Sequence, residues 1–587
     1  MSSRGKRQEN SPASALAEMR IKSTGIFIFV LSGFVNILAL TGAIYMLQIY
    51  DRALTSQSVP TLLALSVLAI GLYLCQGVLD IIRSQILVRV GAKFDKKLAP
   101  LTHKVTIDMP RYGFSIAEAK QRSRDVDIVR NFVAGQGTQA LFDLPWMPLY
   151  VAFIYMLHPI LGLLVIAGAT VLATLALITE IVTRRRASAA SQAELARMNM
   201  TDEHVGNAEM LRAMGLTSRA VERFSKVNDK HLDVQTKAND LAGSFGGLSK
   251  VLRMILQSAV LGLGAFLTIQ GDLTAGAIIA ASVAAARALA PVDLAISKWK
   301  ELVSARKSYK RLHETLNAID EEEDYVDLPP VKNSLRVEKL TVAAPSTGAV
   351  LLADASLELE AGSALALIGP SGSGKTTFVR AITGIWPLVR GHIRLDEADI
   401  RQWRIEDLGK HIGYLPQDVS LLDGTVSENI SRFDPNAQSD KIIAAAQGAD
   451  VHEMIVRLPN GYQTELGPNG LALSAGQRQR IALARALYDN PFLVVLDEPN
   501  SNLDADGDQA LNKAIESVKA RKGIVVIIAH RPSAITSCDY VGVVNKGKLT
   551  AFGPKEEILQ DQLALQRSKR NRPNAQPQRA DNAPSVA

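Results

Sequence analysis

Six apolar runs, at about 25–47, 60–82, 140–157, 159–182, 252–270 and 275–297, do most to limit what this chain can fold into. Each has roughly the 17–25 residues that a helix needs to cross the hydrocarbon core of a bilayer. In hydrocarbon every backbone N–H and C=O must find its partner within the protein, so the runs read as membrane-spanning helices. Buried soluble helices are the poorer alternative, because nothing nearby could cover that much apolar surface. The first run exceeds the roughly 7–15-residue core of a signal peptide, and no small-residue cleavage site follows it.

Lys and Arg orient the spans. Arg4, Lys6, Arg7, Arg20 and Lys22 precede the first run, and the connections 83–139 and 184–250 each hold eleven Lys and Arg, among them Arg184, Arg185 and Arg186. The short connections are nearly bare: 51–59 has one Arg, while His158, Pro159 and residues 270–274 add none. By the positive-inside rule the N-terminus, both long connections and everything after 297 are expected in the cytoplasm. Six crossings and two cytoplasmic ends agree with each other. The long connections are helical in pattern and lack strand signals. The spans are therefore expected to continue well past the membrane and to reverse near Met109–Phe114 and near 209–216, offering short helices to a cytoplasmic domain. An independent cytoplasmic subdomain is the alternative.

Arg287 and Asp293 fall inside the last run, AGAIIAASVAAARALAPVDLAI. An ionisable group at membrane depth usually faces a water-filled cavity. The other reading has the helix leaving the membrane here, with Arg287 snorkelling to the interface. Pro291 is expected to kink or weaken the helix locally.

The overall 47% hydrophobic and 21% charged residues conceal a division. Residues 331–560 read as a soluble α/β enzyme, and 587 residues suffice for about three or four units. The acidic DEEEDYVDLPP, 320–330, ends in two prolines and reads as the linker between the halves. Cys75 and Cys538 lie in different halves and imply no disulfide framework. The net charge of +7 is spread as membrane topology requires, which argues against nucleic acid as a partner.

In ALALIGPSGSGKTTFVRAITG an apolar strand, Ala364–Ile368, runs into a loop and then a helix. This is the G-x-x-x-x-G-K-[ST] phosphate loop in its required strand–loop–helix setting. Its glycines let backbone N–H groups wrap phosphates, Lys375 reaches the β/γ oxygens, and the Thr376 hydroxyl ligates Mg²⁺. A second buried strand in FLVVLDEP, 492–499, ends in two carboxylates. Asp497 is placed to hold the Mg²⁺ shell, and Glu498 to orient or deprotonate the attacking water. A third strand, GIVVIIAH (523–530), ends at His530, which taken alone is more often structural than catalytic. The stretch LSAGQ, 473–477, opens a helix whose N-terminus could bind another anion.

These pieces in this order resemble an ATP-binding cassette (ABC) ATPase. The resemblance implies that Gln417 in YLPQDVSLLDGTVSENI is the Q-loop glutamine, LSAGQ the signature, SNLD (501–504) the D-loop and His530 the switch histidine. It implies catalytic roles for Glu498, His530, Gln417 and Lys375, and Mg²⁺ ligation by Thr376, Gln417 and Asp497. ATP contacts are implied for Gly369, Pro370, Ser371, Gly372, Ser373, Gly374, Lys375, Thr376 and Thr377, with Ser474, Gly476, Gln477 and Asp504. In this family two cassettes pair head to tail, so Ser474, the Gly476 N–H and their helix dipole would meet the γ-phosphate held by a second copy. That fits the physics, since a second anion site is redundant within one cassette and useful across an interface. Two departures stand out. Ala475 replaces a usual signature glycine, which is tolerable if φ stays negative there. Ala343 and Ala344 occupy the place of a usual adenine-stacking aromatic, which predicts weaker discrimination between bases.

The fold class expected is thus a six-helix membrane bundle of the ABC-exporter type followed by an α/β P-loop NTPase cassette. Its divisions are an N-terminal segment 1–24, the membrane domain 25–319, a linker 320–334, the cassette 335–562 and a basic disordered tail 563–587. The stretches 140–162 and 391–430 resemble the type I protein-secretion exporters of Gram-negative bacteria, in their protease and S-layer branch. Only about 24 residues precede the first crossing, so the N-terminal peptidase-like domain of many relatives is expected to be absent. The resemblance implies a homodimer in the inner membrane, with N-terminus and cassette cytoplasmic, using ATP and Mg²⁺. It implies an unfolded protein cargo with an uncleaved C-terminal signal, a periplasmic membrane-fusion protein and a TolC-like outer-membrane channel. An exporter of lipids or small amphipathic molecules is the alternative on the same chassis. A soluble ABC ATPase acting on nucleic acid is opposed by the six crossings, and fold alone would also allow a nucleotide-gated channel.

Overall fold

The computed structural model describes residues 21–318, 328–467, 470, 473–500, 505–529 and 531–560. The chain divides into two compact units: one is 1–108 with 115–321, the other Met109–Phe114 with 322–587.

The first unit is helical throughout its described residues: α1 (Ile21–Leu38), α2 (Thr41–Gln48), α3 (Val59–Asp108), α4 (Ile116–Ala134), α5 (Gln136–Asp143), α6 (Met147–Leu157), α7 (Pro159–Gly206), α8 (Ala208–Ala213), α9 (Thr217–Gln270), α10 (Ala275–Ser297) and α11 (Trp299–Ala318). Among the described residues six helical stretches are long and apolar enough to cross a membrane, beginning at Ser23, Val59, Gln136, Pro159, Thr217 and Ala275. At 50, 48 and 54 residues, α3, α7 and α9 are each roughly 70–80 Å long, more than twice the thickness of a hydrocarbon core. They run past any membrane without interruption. The chain reverses through a 3₁₀ turn at Met109–Tyr112 and through α8, where the helical pattern of the long connections placed the reversals.

Two runs expected as single helices are broken. The third crossing is split into α5 and α6 by a 3₁₀ turn at Leu144–Trp146, because Pro145 and Pro148 offer no N–H to the ladder. The first crossing breaks after α1 and ends in a π-turn, Ile49–Ala53. That turn carries Asp51, whose carboxylate accepts from Thr274 Oγ1 at 2.7 Å and from the Gly276 N–H at 3.0 Å, capping α10 from across the sequence. A Cβ on Gly276 would lie 2.5 Å from that carboxylate, so the cap requires glycine. By contrast α10 continues through Pro291 to Ser297.

One face of α10 is a row of alanines, Ala280, Ala281, Ala284, Ala285 and Ala288, all buried against Ala43, Tyr150, Ile154, Val165 and Val260. Small side chains let the helices approach closely, which is how packing is gained where no hydrophobic drive separates protein from lipid. Several polar groups inside the bundle pair with one another. Arg83 donates to Asp143 at 2.6 Å and to Ser32 at 3.1 Å, while Asn36 donates to the same Asp143 at 2.9 Å and accepts from the Tyr150 hydroxyl at 3.0 Å. This cluster ties α1, α3, α5 and α6 together.

A second polar tie joins α4 to α11. Asp125 is fully buried, and Arg311 grips it with Nε at 2.9 Å and Nη2 at 2.5 Å, while the Ser308 hydroxyl adds a bond of 2.8 Å. Arg122, one turn before Asp125, donates to Thr315 at 2.9 Å.

The second unit holds two sheets. A four-stranded antiparallel sheet is ordered β2-β1-β4-β5, from β1 (Ser334–Ala343), β2 (Val350–Glu360), β4 (Arg390–Leu395) and β5 (Ala398–Asp399). A six-stranded sheet is ordered β10-β9-β3-β8-β7-β6, from β3 (Ala364–Ile368), β6 (Ile412–Leu415), β7 (Leu493–Asp497), β8 (Ile524–Ile528), β9 (Tyr540–Asn545) and β10 (Lys548–Pro554). Its central strands are parallel and buried on both faces, hence the continuous apolar runs in the sequence. Alternate residues enter different cores. Ala364 and Ala366 pack with the helical side, Leu365 and Leu367 with the antiparallel sheet. The helices are α12 (Lys375–Ile382), α13 (Ile405–His411), α14 (Val426–Ile430), α15 (Ser439–Gly448), α16 (His452–Val456), α17 (Ala475–Leu487), α18 (Ala505–Ala520) and α19 (Pro532–Thr536). Within this unit Gly113, at φ +89°, lies so near the Pro345 carbonyl that any side chain would overlap it.

Removing one partner of a buried ion pair strands the other charge, at a cost of about 3–5 kcal/mol. Asp125→Ala should therefore lower the thermal unfolding temperature of the detergent-solubilised protein markedly. Pairing it with Arg311→Met should recover most of the loss, and equal melting of all three proteins would show that the pair does not hold α4 to α11.

Candidate functional site

The parallel strands β3 and β7 flank β8 and end on the same edge of the sheet, and α/β sheets bind ligands at such carboxyl ends. The loop after β3 is shaped by Gly369, Gly372 and Gly374, with φ of +148°, +73° and +106°. At Gly369 a side chain would overlap the Val544 carbonyl, so the loop closes only with glycine there. Gly374 is the N-cap of α12 and supplies no side-chain cap, leaving the first N–H groups of that helix to an external acceptor. Lys375 is buried, and its ammonium donates to the carbonyls of Gly369 at 2.9 Å and Pro370 at 3.0 Å. Burial lowers the Lys375 pKa, while Glu498 and Asp497 raise it. Ser371 and Gly372 are exposed at the loop's tip, and the buried Ser373 hydroxyl lacks a hydrogen-bond partner. Thr376 and Thr377 follow in the first turn of α12.

Asp497 ends β7 almost fully buried; the Thr376 hydroxyl lies beside its carboxylate, and among the described residues no donor fully satisfies either oxygen. Burial, reinforced by the charge of Glu498, pushes its carboxyl up to about 6; Arg380, the Thr376 hydroxyl and Lys375 pull the other way. A buried acid with two unsatisfied oxygens beside a threonine hydroxyl is a hard-oxygen donor set, which suits a small divalent cation such as Mg²⁺. Glu498 holds a left-handed φ of +51°, a sparsely populated conformation for a residue with a side chain. That turn sends its carboxylate away from Asp497's direction and towards Gln417, whose amide donates to Glu498 Oε2 at 3.2 Å. Gln417 is exposed just past β6, next to β7 in the sheet, so strand order brings together two residues 81 apart.

The signature forms its own small structure. Ser474 caps α17: its hydroxyl accepts from the Gln477 N–H at 3.2 Å, and the Gln477 side chain accepts from the Ser474 N–H at 2.9 Å. This reciprocal capping box leaves Ser474 exposed at a well-formed helix start. Ala475 is the first helical residue and is absent from the positive-φ positions, so its methyl is accommodated. Gly476 follows, half-buried. Among the described residues none of these groups bonds to the phosphate loop. His530 and Asp504 lie outside the described residues.

Sequence reading missed three neighbours. Arg380, five residues beyond Lys375, stacks on Trp386 at 5.0 Å and brings a positive charge towards Asp497. Tyr414 on β6 is pushed up to about 12 by burial, with Asp497 adding to the shift. Gln479, buried in α17, donates to the Pro499 carbonyl and so ties the signature helix to the turn after Glu498. A spacing of i+5 from the loop lysine was the available signal for Arg380. Tyr414 and Gln479 carry none, because only strand order and helix packing bring them here.

A family model described as ABC transporter transmembrane region matches residues 25–291, and one described as ABC transporter matches 352–501. The type I secretion system ATP-binding protein PrsD of Rhizobium meliloti (strain 1021) is 47% identical over 95% of this chain and 96% of its own length. The toxin RTX-I translocation ATP-binding protein of Actinobacillus pleuropneumoniae is 27% identical over 93% of this chain and 78% of its own length. Among solved structures, a bacterial Atm1-family ABC exporter with ATP bound superposes with a TM-score of 0.78 at 21% identity, covering 95% of this chain and 99% of its own, which speaks to the fold. With both halves matched and a near half-identical relative aligned end to end, the chain belongs to the ABC transporter family, among the type I secretion ATP-binding proteins.

Proposed function

We propose that this chain is the inner-membrane ATPase of a type I secretion system, working as a homodimer that uses ATP to move an unfolded protein out of the cell. The observation that carries the reading is the end-to-end likeness to a type I secretion ATP-binding protein, in a chain with six spans and a complete phosphate loop. The remaining assembly follows the same reading: cassette and N-terminus in the cytoplasm, a linker at about 320–334, a cargo with a C-terminal signal, a periplasmic membrane-fusion protein and a TolC-like channel.

The residues have definite work in this scheme. Phosphate oxygens take N–H groups of residues 371–376 at the loop and the start of α12, and Lys375 moves from the carbonyls of Gly369 and Pro370 to the β/γ oxygens. Thr376, Gln417 and Asp497 would hold Mg²⁺, which when bound offsets charge on the β- and γ-phosphates. Glu498, steadied by Gln417, takes a proton from the attacking water as its oxygen bonds to the γ-phosphorus and the bond to the ADP oxygen breaks, and that proton passes on to the released phosphate. Ser474 and the first N–H groups of α17 in the second copy complete the pocket against the γ-phosphate. His530 and Asp504 are assigned their roles from sequence resemblance. Closure of two such pockets on ATP, and their opening after hydrolysis, would rock the long helices and alternate access across the membrane.

Glu498→Gln should keep ATP affinity and lower turnover by about 10²–10³-fold, in line with loss of one preorganised group at the reacting centre; near-normal hydrolysis would remove Glu498 from this role. In cells it should also stop the appearance of one specific protein in the medium. Sharing of the pocket between copies is tested by mixing two inactive chains, Ser474→Arg and Lys375→Ala. Mixed dimers should regain one working site, whereas self-contained cassettes would stay inactive in every mixture. Because an aromatic stack contributes only about 0.5–1.5 kcal/mol, its absence at Ala343 and Ala344 predicts GTP hydrolysis with kcat/KM within about tenfold of ATP. A far stronger ATP preference would show that another group reads the base.

A further inference from the structure

The two ionisable residues in the last membrane segment are treated differently by the fold. Asp293 is ion-paired: Arg253 Nη1 lies 2.6 Å from it, and the Ser249 hydroxyl donates to it at 3.3 Å. Arg287 is exposed on α10 and makes no hydrogen bond or ion pair among the described residues. Its side of α10 carries the exposed Ala290 and the half-buried Val283 and Ala286, and its charge lies within electrostatic reach of the buried Tyr150. The candidate span runs from Ala275 to Leu294. At 1.5 Å per residue Arg287 lies roughly 18 Å from one end and 10 Å from the other. A stem of three methylenes does not carry a guanidinium across that distance, so snorkelling does not account for it. A cation at this depth is strongly disfavoured against lipid and belongs towards the interior of the assembled bundle or a wet path through it.

A second feature stands at the same residue. Pro291 lies four positions on, inside an otherwise continuous helix, and has no N–H. The Arg287 carbonyl therefore lacks its regular helical donor. One residue thus offers a guanidinium without a counter-ion and a carbonyl without its usual partner, a donor and an acceptor together. A simple anion would use only the first. An extended polypeptide would use both, placing a carboxylate or carbonyl on the guanidinium and a backbone N–H on the carbonyl. The small neighbours Ala286 and Ala290 leave room for a chain of varied side chains.

We propose that Arg287, with the carbonyl that Pro291 leaves free, is a contact point for the polypeptide in transit and favours stretches rich in carboxylates. The proposal rests on the protein-export reading above and names the chemistry by which the cargo is held. It commits to an unfolded, acidic polypeptide; lipid phosphate is the competitor.

The test uses the full-length protein in lipid nanodiscs with a photoactivatable benzoyl-phenylalanine in place of Ala290. The probes are unstructured Gly/Ser peptides of about 40 residues, either neutral or with Glu or Lys at every fourth position. The Glu peptide should cross-link about tenfold more than the Lys peptide. Arg287→Gln should bring it down to the level of the neutral peptide, and Arg287→Lys should retain the charge preference, which separates loss of charge from loss of fold. Pro291→Ala, which restores the helical donor, should reduce cross-linking of all three peptides several-fold while leaving their order unchanged. Cross-links to lipid alone, equal labelling by all peptides, or indifference to Arg287→Gln would overturn the proposal. The two readings fail separately: secretion that survives Glu498→Gln would count against export itself. Secretion that stops in Glu498→Gln, beside negative peptide results, would count against Arg287 alone.

Discussion

A helix saturates its own backbone in hydrocarbon and in water alike, and the architecture depends on that property. Continuous helices of 48–54 residues pass from one solvent into the other without leaving a single row of N–H or C=O groups stranded. Because such a helix is stiff along its length, displacement at its far end is carried to the span. An ATPase outside the bilayer can then do work inside it, provided the helices are tied to one another. The ties are polar and few. The Arg83–Asp143–Asn36–Tyr150 cluster joins the first three crossings, and Asp125 with Arg311 joins α4 to the helix that leads out of the membrane unit.

The breaks in the helices are as informative as their continuity. Where α10 begins, a loop residue from the first crossing, Asp51, supplies the cap that a local residue would ordinarily provide. Within α10, Pro291 leaves the helix intact while freeing one carbonyl at the level of Arg287. Polar backbone at membrane depth is tolerated where it is buried or lines water, so these departures mark the parts of the bundle that face something other than lipid.

The cassette uses a related economy. Two helix starts, α12 and α17, are left open to an anion, one by a glycine N-cap and the other by a serine whose capping box keeps the turn rigid. The acids between them are separated by function through backbone geometry. Asp497 stays in the strand, buried and hard to ionise, while the left-handed turn at Glu498 swings the next carboxylate to Gln417. Adjacent residues in sequence thereby serve different chemistry, and the strain of that turn is the local cost.

Much of this was legible before any coordinates. The six apolar spans, the phosphate loop and three of the buried strands follow from length, hydropathy and glycine spacing, since each is a local property with a fixed period or a fixed steric demand. The reversals at Met109–Tyr112 and α8 followed from helical pattern running longer than a membrane is thick. Other features were closed to sequence reading because they depend on who meets whom in space. Asp51 reaching Gly276, Gln417 meeting Glu498, and Arg311 enclosing Asp125 are pairings over 225, 81 and 186 residues, and no local pattern encodes them. Sequence alone marked six runs long and apolar enough to cross a membrane and the loop that can cradle phosphate, because a helix in hydrocarbon satisfies its own backbone and a phosphate needs converging N–H groups. Tertiary structure decided which charges within the spans find partners, as Asp293 does with Arg253, because a counter-ion is found only once helices have packed.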